Sequence, residues 1–414
     1  MKKKGGGWKI RIFVIKWQYS KMAISKEEKI KNLLERNVQE VIEVEHLRKL
    51  LLNGKKLRVK LGIDPTSPDL HLGHAVILRK LREFQDLGHK VVLIIGDFTG
   101  KIGDPSGRSE TRKPLTDKQV KENMKSYLKQ AGKVINIKKA EVVFNSRWFV
   151  KDGIQKMIEL ATASSIQQVL RRADFKKRIA EDSDITLLEI LYPLFQGYDS
   201  LKIKADVELG GIDQKFNLLM GRRVQRHFGM KEQDILMVPL LEGLDGVKKM
   251  SKSFGNYIGL DEDGGSMFGK IMSLPDSLIS KYFYFCTEIT EEEVVGLEKK
   301  GDPKGFKERL AFEVVKIYHG EKEAEVAKNK FSNLFSKKLV PEDLLMLKSP
   351  KEISVAGLVL ASKVVSSKAQ AWRLIEQGGF SLDEKQKKNP REILKFRGGE
   401  VVKIGKKSFF KVKV

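Results

Sequence analysis

The sequence predicts an α/β protein: a parallel-sheet domain carrying a helical insertion, then an α-helical domain, then a small basic α+β domain. Three observations carry this expectation. Apolar runs at 57–63 and 91–96 bracket a helix-periodic stretch at 71–87, the layout of a strand–helix–strand unit with a right-handed crossover. Lys- and Glu-rich helical periodicity fills 275–340. Beyond Pro350 the chain turns strongly basic.

The elements follow in order. Ser25, with Glu28 three residues on, has the form of a capping box, and the helix it opens continues through Leu33, Leu34, Val38 and Val41. A strand at 57–63 ends in Asp64-Pro65-Thr66-Ser67-Pro68, which two prolines make a turn. The next helix places Leu72, Val76, Leu78, Leu81 and Phe84 on one stripe and stops at Gly88. Residues 91–96 are wholly apolar, the mark of a strand buried on both faces. Residues 116–191 read as mostly helical. Residues 206–211 lead into a helix over 214–228, 235–241 is a strand, and 243–256 is a glycine- and lysine-rich loop. Pro341 and Lys348-Ser349-Pro350 suit a linker. The domains expected are a basic tail or mis-called start at 1–21, a parallel-sheet domain with its helical insertion at 22–245, a loop-plus-helical domain at 246–345 and a basic unit at 350–414.

A length of 414 residues suits two or three domains. The formal net charge of +25 attracts polyanions. Residues 1–22 hold seven Lys/Arg and no acid, and residues 351–414 hold fifteen against six acids, so most of the surplus sits at the two ends. A generally charged surface would spread it evenly, so a polyanion-binding C-terminal unit is expected. The single cysteine, Cys286, excludes an intrachain disulfide and fits a reducing cytoplasm. No apolar run approaches the ~20 residues that span a bilayer.

Two short motifs carry chemistry. His71-Leu72-Gly73-His74 follows a buried strand and opens a helix, where free backbone N–H groups attract anions. Gly73 lets a nucleotide approach the backbone, and two imidazoles can donate to phosphate oxygens. A bare His-x-Gly-His arises by chance in roughly 5% of chains this long, so its place after the 57–63 strand matters more than its letters. No third ligand at suitable spacing makes the histidines a zinc site. Lys249-Met250-Ser251-Lys252-Ser253 places two ammonium groups and two hydroxyls on a flexible loop, able to follow charge onto a leaving pyrophosphate. Its chance expectation is on the order of 10⁻³, well below that of a solvated Lys/Ser run.

Together the pair resembles the HIGH and KMSKS motifs of class I aminoacyl-tRNA synthetases. The words Gly62-Ile63-Asp64-Pro65-Thr66, Ile102-Gly103-Asp104-Pro105-Ser106-Gly107, Tyr192-Pro193-Leu194-Phe195-Gln196-Gly197-Tyr198-Asp199 and Gly210-Gly211-Ile212-Asp213-Gln214-Lys215-Phe216-Asn217 resemble those of bacterial tyrosyl-tRNA synthetases, and the run 96–112 their second subgroup. The resemblance implies a Rossmann-like catalytic domain and activation of tyrosine by ATP, with Mg²⁺ accompanying the ATP and no dedicated protein metal site. It also implies transfer to tRNA(Tyr), a cytoplasmic setting and a homodimer whose candidate interface lies in 116–191. It assigns Asp104, Tyr192 and Gln196 to the substrate ammonium and Asp199 to the phenol hydroxyl. Spacing at i, i+4 and i+7 puts Tyr192, Gln196 and Asp199 on one helix face. Gly211, Asp213 and Gln214 match the ribose region. Thr66, His71 and His74 match phosphate contacts, and Lys249, Ser251, Lys252, Arg108 and Arg112 match mobile groups around pyrophosphate. One departure stands out. Lys60 occupies the place of a second hydroxyl-reading tyrosine in many relatives. Residues 353–414 resemble an S4 RNA-binding domain, with Lys368 and Arg373 on a helix and Lys403, Lys406 and Lys407 in a hairpin presenting a basic face.

Tryptophanyl-tRNA synthetases share the Tyr-Pro-x-x-Gln-x-x-Asp word and are the nearest alternative, but an S4 domain does not usually follow them. A synthetase-like RNA binder without catalysis, or a plain HxGH nucleotidyltransferase, are further alternatives. The first has no need of His71, His74, Lys249 and Lys252, and the second lacks the Lys-Met-Ser-Lys-Ser loop.

Overall fold

The computed structural model describes residues 25–106, 115–336, 345–362, 364–365, 367–383, 385–405 and 408–414. The chain divides into two compact units: one runs to Asp261 and takes back Ser280–Glu291, the other comprises Glu262–Ile279 and Glu292–Val414.

The first unit runs α1 (Lys26–Glu35), β1 (Glu40–Ile42), α2 (Val44–Leu52), β2 (Arg58–Ile63), α3 (Leu72–Asp86), β3 (Lys90–Ile95), α4 (Thr99–Ile102), α5 (Asp117–Ala131), β4 (Glu141–Phe144), α6 (Ser146–Ala161), α7 (Ile166–Val169), α8 (Ala173–Ala180), α9 (Leu187–Ile203), β5 (Val207–Gly211), α10 (Lys215–His227) and β6 (Asp234–Val238). Its six-stranded sheet has the order β1-β6-β5-β2-β3-β4. All neighbours pair parallel except β1, which runs antiparallel to β6. Residues 91–95 of β3 are at most 1% exposed, as their unbroken apolar run demands. One core cluster joins Val92 and Ile94 of the sheet to Trp148, Phe149, Leu194, Tyr198 and Val224 of α6, α9 and α10.

The structure corrects several sequence expectations. The Ser25 hydroxyl does cap α1, accepting the Glu28 N–H at 3.1 Å, but the helix ends at Glu35. Arg36 is extended and Asn37 left-handed (φ 55°), and both donate to carbonyls near residues 284–289, so Val41 joins β1 instead. The 116–191 segment is not purely helical: Glu141–Phe144 forms edge strand β4 beside β3. The last strand ends at Val238 and not Leu241, because Pro239 has no N–H to continue the ladder.

The chain continues with α11 (Gly264–Met272), α12 (Ile279–Cys286), α13 (Glu291–Glu298), α14 (Pro303–His319) and α15 (Glu321–Ser336). Cys286 is 1% exposed, and burial pushes its thiol up to about 12. The C-terminal part contains β7 (Leu345–Lys348), β8 (Glu352–Ser354), α16 (Val355–Ala361), α17 (Lys368–Glu376), β9 (Phe380–Leu382), β10 (Lys385–Gln386), β11 (Ile393–Lys395), β12 (Val401–Ile404) and β13 (Ser408–Lys413). It starts before Ile353, since β7 pairs parallel with β13 in the sheet β10-β9-β12-β13-β7. Val355, Leu358, Ile375, Phe380, Val402 and Val412 fill a core of its own. Among the described residues no helix is long and apolar enough to cross a membrane.

Candidate active site

A cavity of about 780 Å³ opens at the carboxyl ends of β2, β3, β5 and β6, where parallel sheets bind ligands. It gathers Thr66, His71, Gly73, His74, Asp104, Tyr192, Gln196, Asp199, Gly211, Asp213, Gln214, Lys249, Ser251 and Lys252, drawn from segments almost 190 residues apart. Arg108 and Arg112 lie outside the described residues.

One wall is α9. Its first turn is fixed by a capping box: the Thr186 hydroxyl accepts the Glu189 N–H, and Glu189 Oε2 accepts the Thr186 N–H at 3.0 Å. Buried Arg178 pairs with the same carboxylate at 2.7 Å. The helix so anchored presents Tyr192, Gln196 and Asp199 to the cavity. Tyr192 donates its hydroxyl to Asp64 Oδ2 at 2.8 Å. Burial, reinforced by Asp64, holds that phenol far above its usual range, so it stays a neutral donor. Asp64 Oδ1 accepts from the Thr99 hydroxyl at 2.7 Å, and Thr99 in turn accepts from Asn145 Nδ2 at 2.9 Å. Asn145 Nδ2 also reaches Asp199 Oδ2 at 3.2 Å, and Trp148 Nε1 donates to Asp199 Oδ1 at 2.9 Å. Burial pushes the Asp199 carboxyl up to about 7; Lys60, Asn145 and Trp148 pull the other way. Two neutral donors thus hold a carboxylate that keeps lone pairs for a further donor.

Asp104 Oδ2 accepts from Gln214 Nε2 at 2.7 Å, and Oδ1 from the Ser106 N–H at 2.9 Å. Gln214, expected near the ribose, lines the cavity and gives an amide N–H to Asp104. Lys60 does not line the cavity; it is fully buried against α9.

At the α3 end of the cavity, His71 N-caps the helix and its backbone N–H donates to His74 Nδ1 at 3.3 Å. The rings lie 3.9 Å apart, centre to centre. Burial holds His74 down to about 4, and burial followed by His74, Lys252 and Lys249 holds His71 lower still, so both imidazoles are neutral at pH 7. Among the described residues, His71 Nδ1 is buried with no hydrogen-bond partner, an orphan that a ligand would satisfy. The Lys-Met-Ser-Lys-Ser loop hangs on buried Asn256, whose Oδ1 accepts the Ser251 N–H at 2.8 Å and whose Nδ2 donates to Asp245 at 2.8 Å. Lys249 pairs with Asp213 at 2.8 Å and Lys252 pairs with Asp69. Both lysines of the Lys-Met-Ser-Lys-Ser word are thus held by carboxylates.

Comparison with known proteins gives this arrangement a lineage. Residues 52–336 match the family of class I tRNA synthetases for tryptophan and tyrosine (W and Y). A tyrosine–tRNA ligase of Thermotoga maritima is 45% identical over 391 residues, covering 93% of this chain and 97% of the relative. One of Aquifex aeolicus is 46% identical over 387 residues, 93% and 98% of the two chains. The chain belongs to the tyrosyl-tRNA synthetase family. Among solved structures, the tyrosyl-tRNA synthetase of Archaeoglobus fulgidus complexed with L-tyrosine superposes with a TM-score of 0.60 at 22% identity, over 73% of this chain and all of that one. The tryptophanyl-tRNA synthetase of Plasmodium falciparum gives 0.56 at 14%, over 74% and 88%. Such distant likeness speaks to the fold, which both branches share; the sequence relatives separate them.

Several site residues of this tyrosyl-tRNA synthetase family member escaped the sequence reading. Asp64 and Asn217 stood inside quoted words but received no role; Asn217 donates to Asp104 Oδ1 at 3.3 Å. Asn145 and Trp148 follow β4, the strand that was missed, and recognising it would have flagged its carboxyl end. The candidate RNA contacts lie in the second unit. Lys368 and Arg373 are exposed on α17, and half-buried Lys403 on β12 sits 5.3 Å from the Phe409 ring centre. Lys406 and Lys407 fall outside the described residues.

Proposed function

We propose that the protein activates L-tyrosine with ATP and transfers it to the 3′ end of tRNA(Tyr), using the cavity residues in the following roles. The tyrosine phenol donates to Asp199. The ammonium meets the Asp104 carboxylate, Gln196, and the Tyr192 oxygen, whose own proton is committed to Asp64. The tyrosine carboxylate attacks the α-phosphorus of ATP and pyrophosphate departs. A carboxylate is already nucleophilic, so the step needs no general base; the protein supplies position and charge. Gly73, Gly211, Asp213 and Gln214 surround the nucleoside, and Thr66, His71 and His74 face the phosphates. Lys249, Ser251 and Lys252 follow the leaving pyrophosphate, the lysines exchanging Asp213 and Asp69 for phosphate oxygens. Arg108 and Arg112 join them there. Mg²⁺ arrives with ATP as part of the substrate. A tRNA 3′-terminal ribose hydroxyl then takes the tyrosyl group, and AMP leaves.

The observation that carries this reading is the single cavity in which an acceptor for a phenol, an acceptor for an ammonium and two lysines for a pyrophosphate meet. The test is exchange of labelled pyrophosphate into ATP with each of twenty amino acids and no tRNA. Exchange with tyrosine alone is expected. Exchange with tryptophan would mean that Asp199 reads an indole N–H, and no exchange by folded protein would favour a non-catalytic RNA binder.

The C-terminal α+β part, read as S4-like, would hold tRNA through Lys368, Arg373, Lys403, Lys406 and Lys407. We assign the 116–191 segment a second copy of the chain as partner. α6 is kinked at Gly153 (φ 69°); Val150 before the kink is 78% exposed, and Ile154 and Ile158 one turn apart after it are 79% and 64% exposed, apolar surface costly to leave in water. The cytoplasm, where tRNA is charged and a lone thiol stays reduced, is the proposed setting.

A further inference from the structure

Beneath the cavity lies an ion pair that none of the roles above uses. Lys60 and Glu208 are cross-strand partners on β2 and β5, and their side chains are 0% and 1% exposed. Lys60 Nζ lies 2.8 Å from Glu208 Oε1 and donates to Ser200 Oγ at 2.7 Å and to the Gln196 carbonyl at 2.9 Å. Its three protons are thereby all used. Glu208 accepts from Gln196 Nε2 at 3.2 Å, from the Ser200 hydroxyl at 2.9 Å and from Gln233 Nε2. The space for this cluster is kept by Gly221 on α10, where a Cβ would come within 2.5 Å of Gln233 Nε2 and 3.0 Å of Glu208 Oε2.

The pair grips Gln196 twice, by its backbone carbonyl and by its side-chain nitrogen. A carboxamide offers one donor end and one acceptor end, and a carboxylate can bind only the donor end. Glu208 therefore fixes the amide so that Oε1 is the atom left for the cavity, which Gln196 lines. An oxygen there suits a cation; a carboxamide turned the other way would present N–H groups and repel it. We propose that Lys60 and Glu208 are positioning residues for amino-acid recognition, fixing the carboxamide of Gln196 so that its oxygen faces the substrate ammonium. The lysine at the position where the resemblance implied a hydroxyl-reading tyrosine thus serves the opposite end of the proposed substrate. Burying two charges is costly, and a well-packed apolar pair would often serve stability as well, so a role in orientation accounts for the choice.

This inference rests on the proposed activity, and its test separates the two. Glu208→Gln removes the charge at constant shape, and the double variant K60M/E208M replaces the whole pair with apolar side chains should the single one fold poorly. Three ligands are compared in pyrophosphate exchange: L-tyrosine, tyrosinol as inhibitor, and 3-(4-hydroxyphenyl)propionate, which lacks the ammonium. The KM for tyrosine and the Ki for tyrosinol should rise together by about tenfold or more, the scale of a lost contact to a charged group. The KM for ATP and the Ki for the ammonium-free analogue should hold. Unchanged tyrosine KM, or an equal loss for all three ligands, would overturn the positioning role. Absence of exchange in the unsubstituted protein would instead remove the activity itself.

Discussion

Lys252 illustrates how a residue's resting partner shapes its work. Its ammonium is paired with Asp69, and in the proposed mechanism it exchanges that carboxylate for phosphate. Lys252→Ala should raise the barrier to tyrosyl-adenylate formation by about 2.7–4 kcal/mol, the loss typical of one transition-state donor, measured by single-turnover adenylate formation at saturating tyrosine and ATP. Near-unchanged rates would remove it from the mechanism. Asp199 gives a pH signature. Its carboxyl is pushed up to about 7 by burial, and only the ionised form is a pure acceptor for a phenol. The KM for tyrosine should therefore fall as pH climbs from 6 to 8. A carboxyl raised above its unfolded value favours the folded state most at low pH, and that contribution is lost as pH rises through about 7. Tyrosine should accordingly raise the melting temperature more at pH 8 than at pH 6, and a shift independent of pH would discount Asp199 as the hydroxyl reader.

The elements show what was legible in the sequence and what was not. β3 and α3 were plain, one from an unbroken apolar run and the other from its stripe and terminal glycine. β4 was not. Glu141-Val142-Val143-Phe144 is short, and as an edge strand every position is half-buried, so neither alternation nor a fully apolar run betrays it. Missing β4 hid Asn145 and Trp148, and with them the reason Asp199 is held in place. Lys60 was legible as a departure but not as a contact, because pairing with Glu208 depends on the register of two strands almost 150 residues apart. The α9 start, by contrast, can be tested alone. Thr186→Ala removes the capping hydroxyl and should cost about 1 kcal/mol of stability by denaturant titration. The KM for tyrosine should rise as well, because Tyr192 lies within two turns of that cap; an unchanged KM would show α9 held by its packing alone.

For the whole molecule, the separate core of the C-terminal part allows a clean cut. Since β7 belongs to its sheet, the cut falls before Leu345. Removing residues 345–414 should leave tyrosine-dependent exchange intact and cripple tRNA charging; loss of both would make the segment structural. The exposed Ile154 and Ile158, which follow the kink in α6, make a second prediction. With the proposed self-association through this segment, the parent is expected to sediment as a dimer and the double variant I154K/I158K as a monomer. An unchanged sedimentation coefficient would place any self-association elsewhere.

The solitary thiol of Cys286 has a practical corollary. Because the chain holds no other cysteine and this one is buried and slow to ionise, maleimide dyes and spin labels will pass it by. The protein is thus a silent background for site-directed spectroscopy. A cysteine introduced at Phe254, which is 51% exposed beside the lysine loop, would be the sole reactive handle, and its signal would report the loop's movement as ATP arrives.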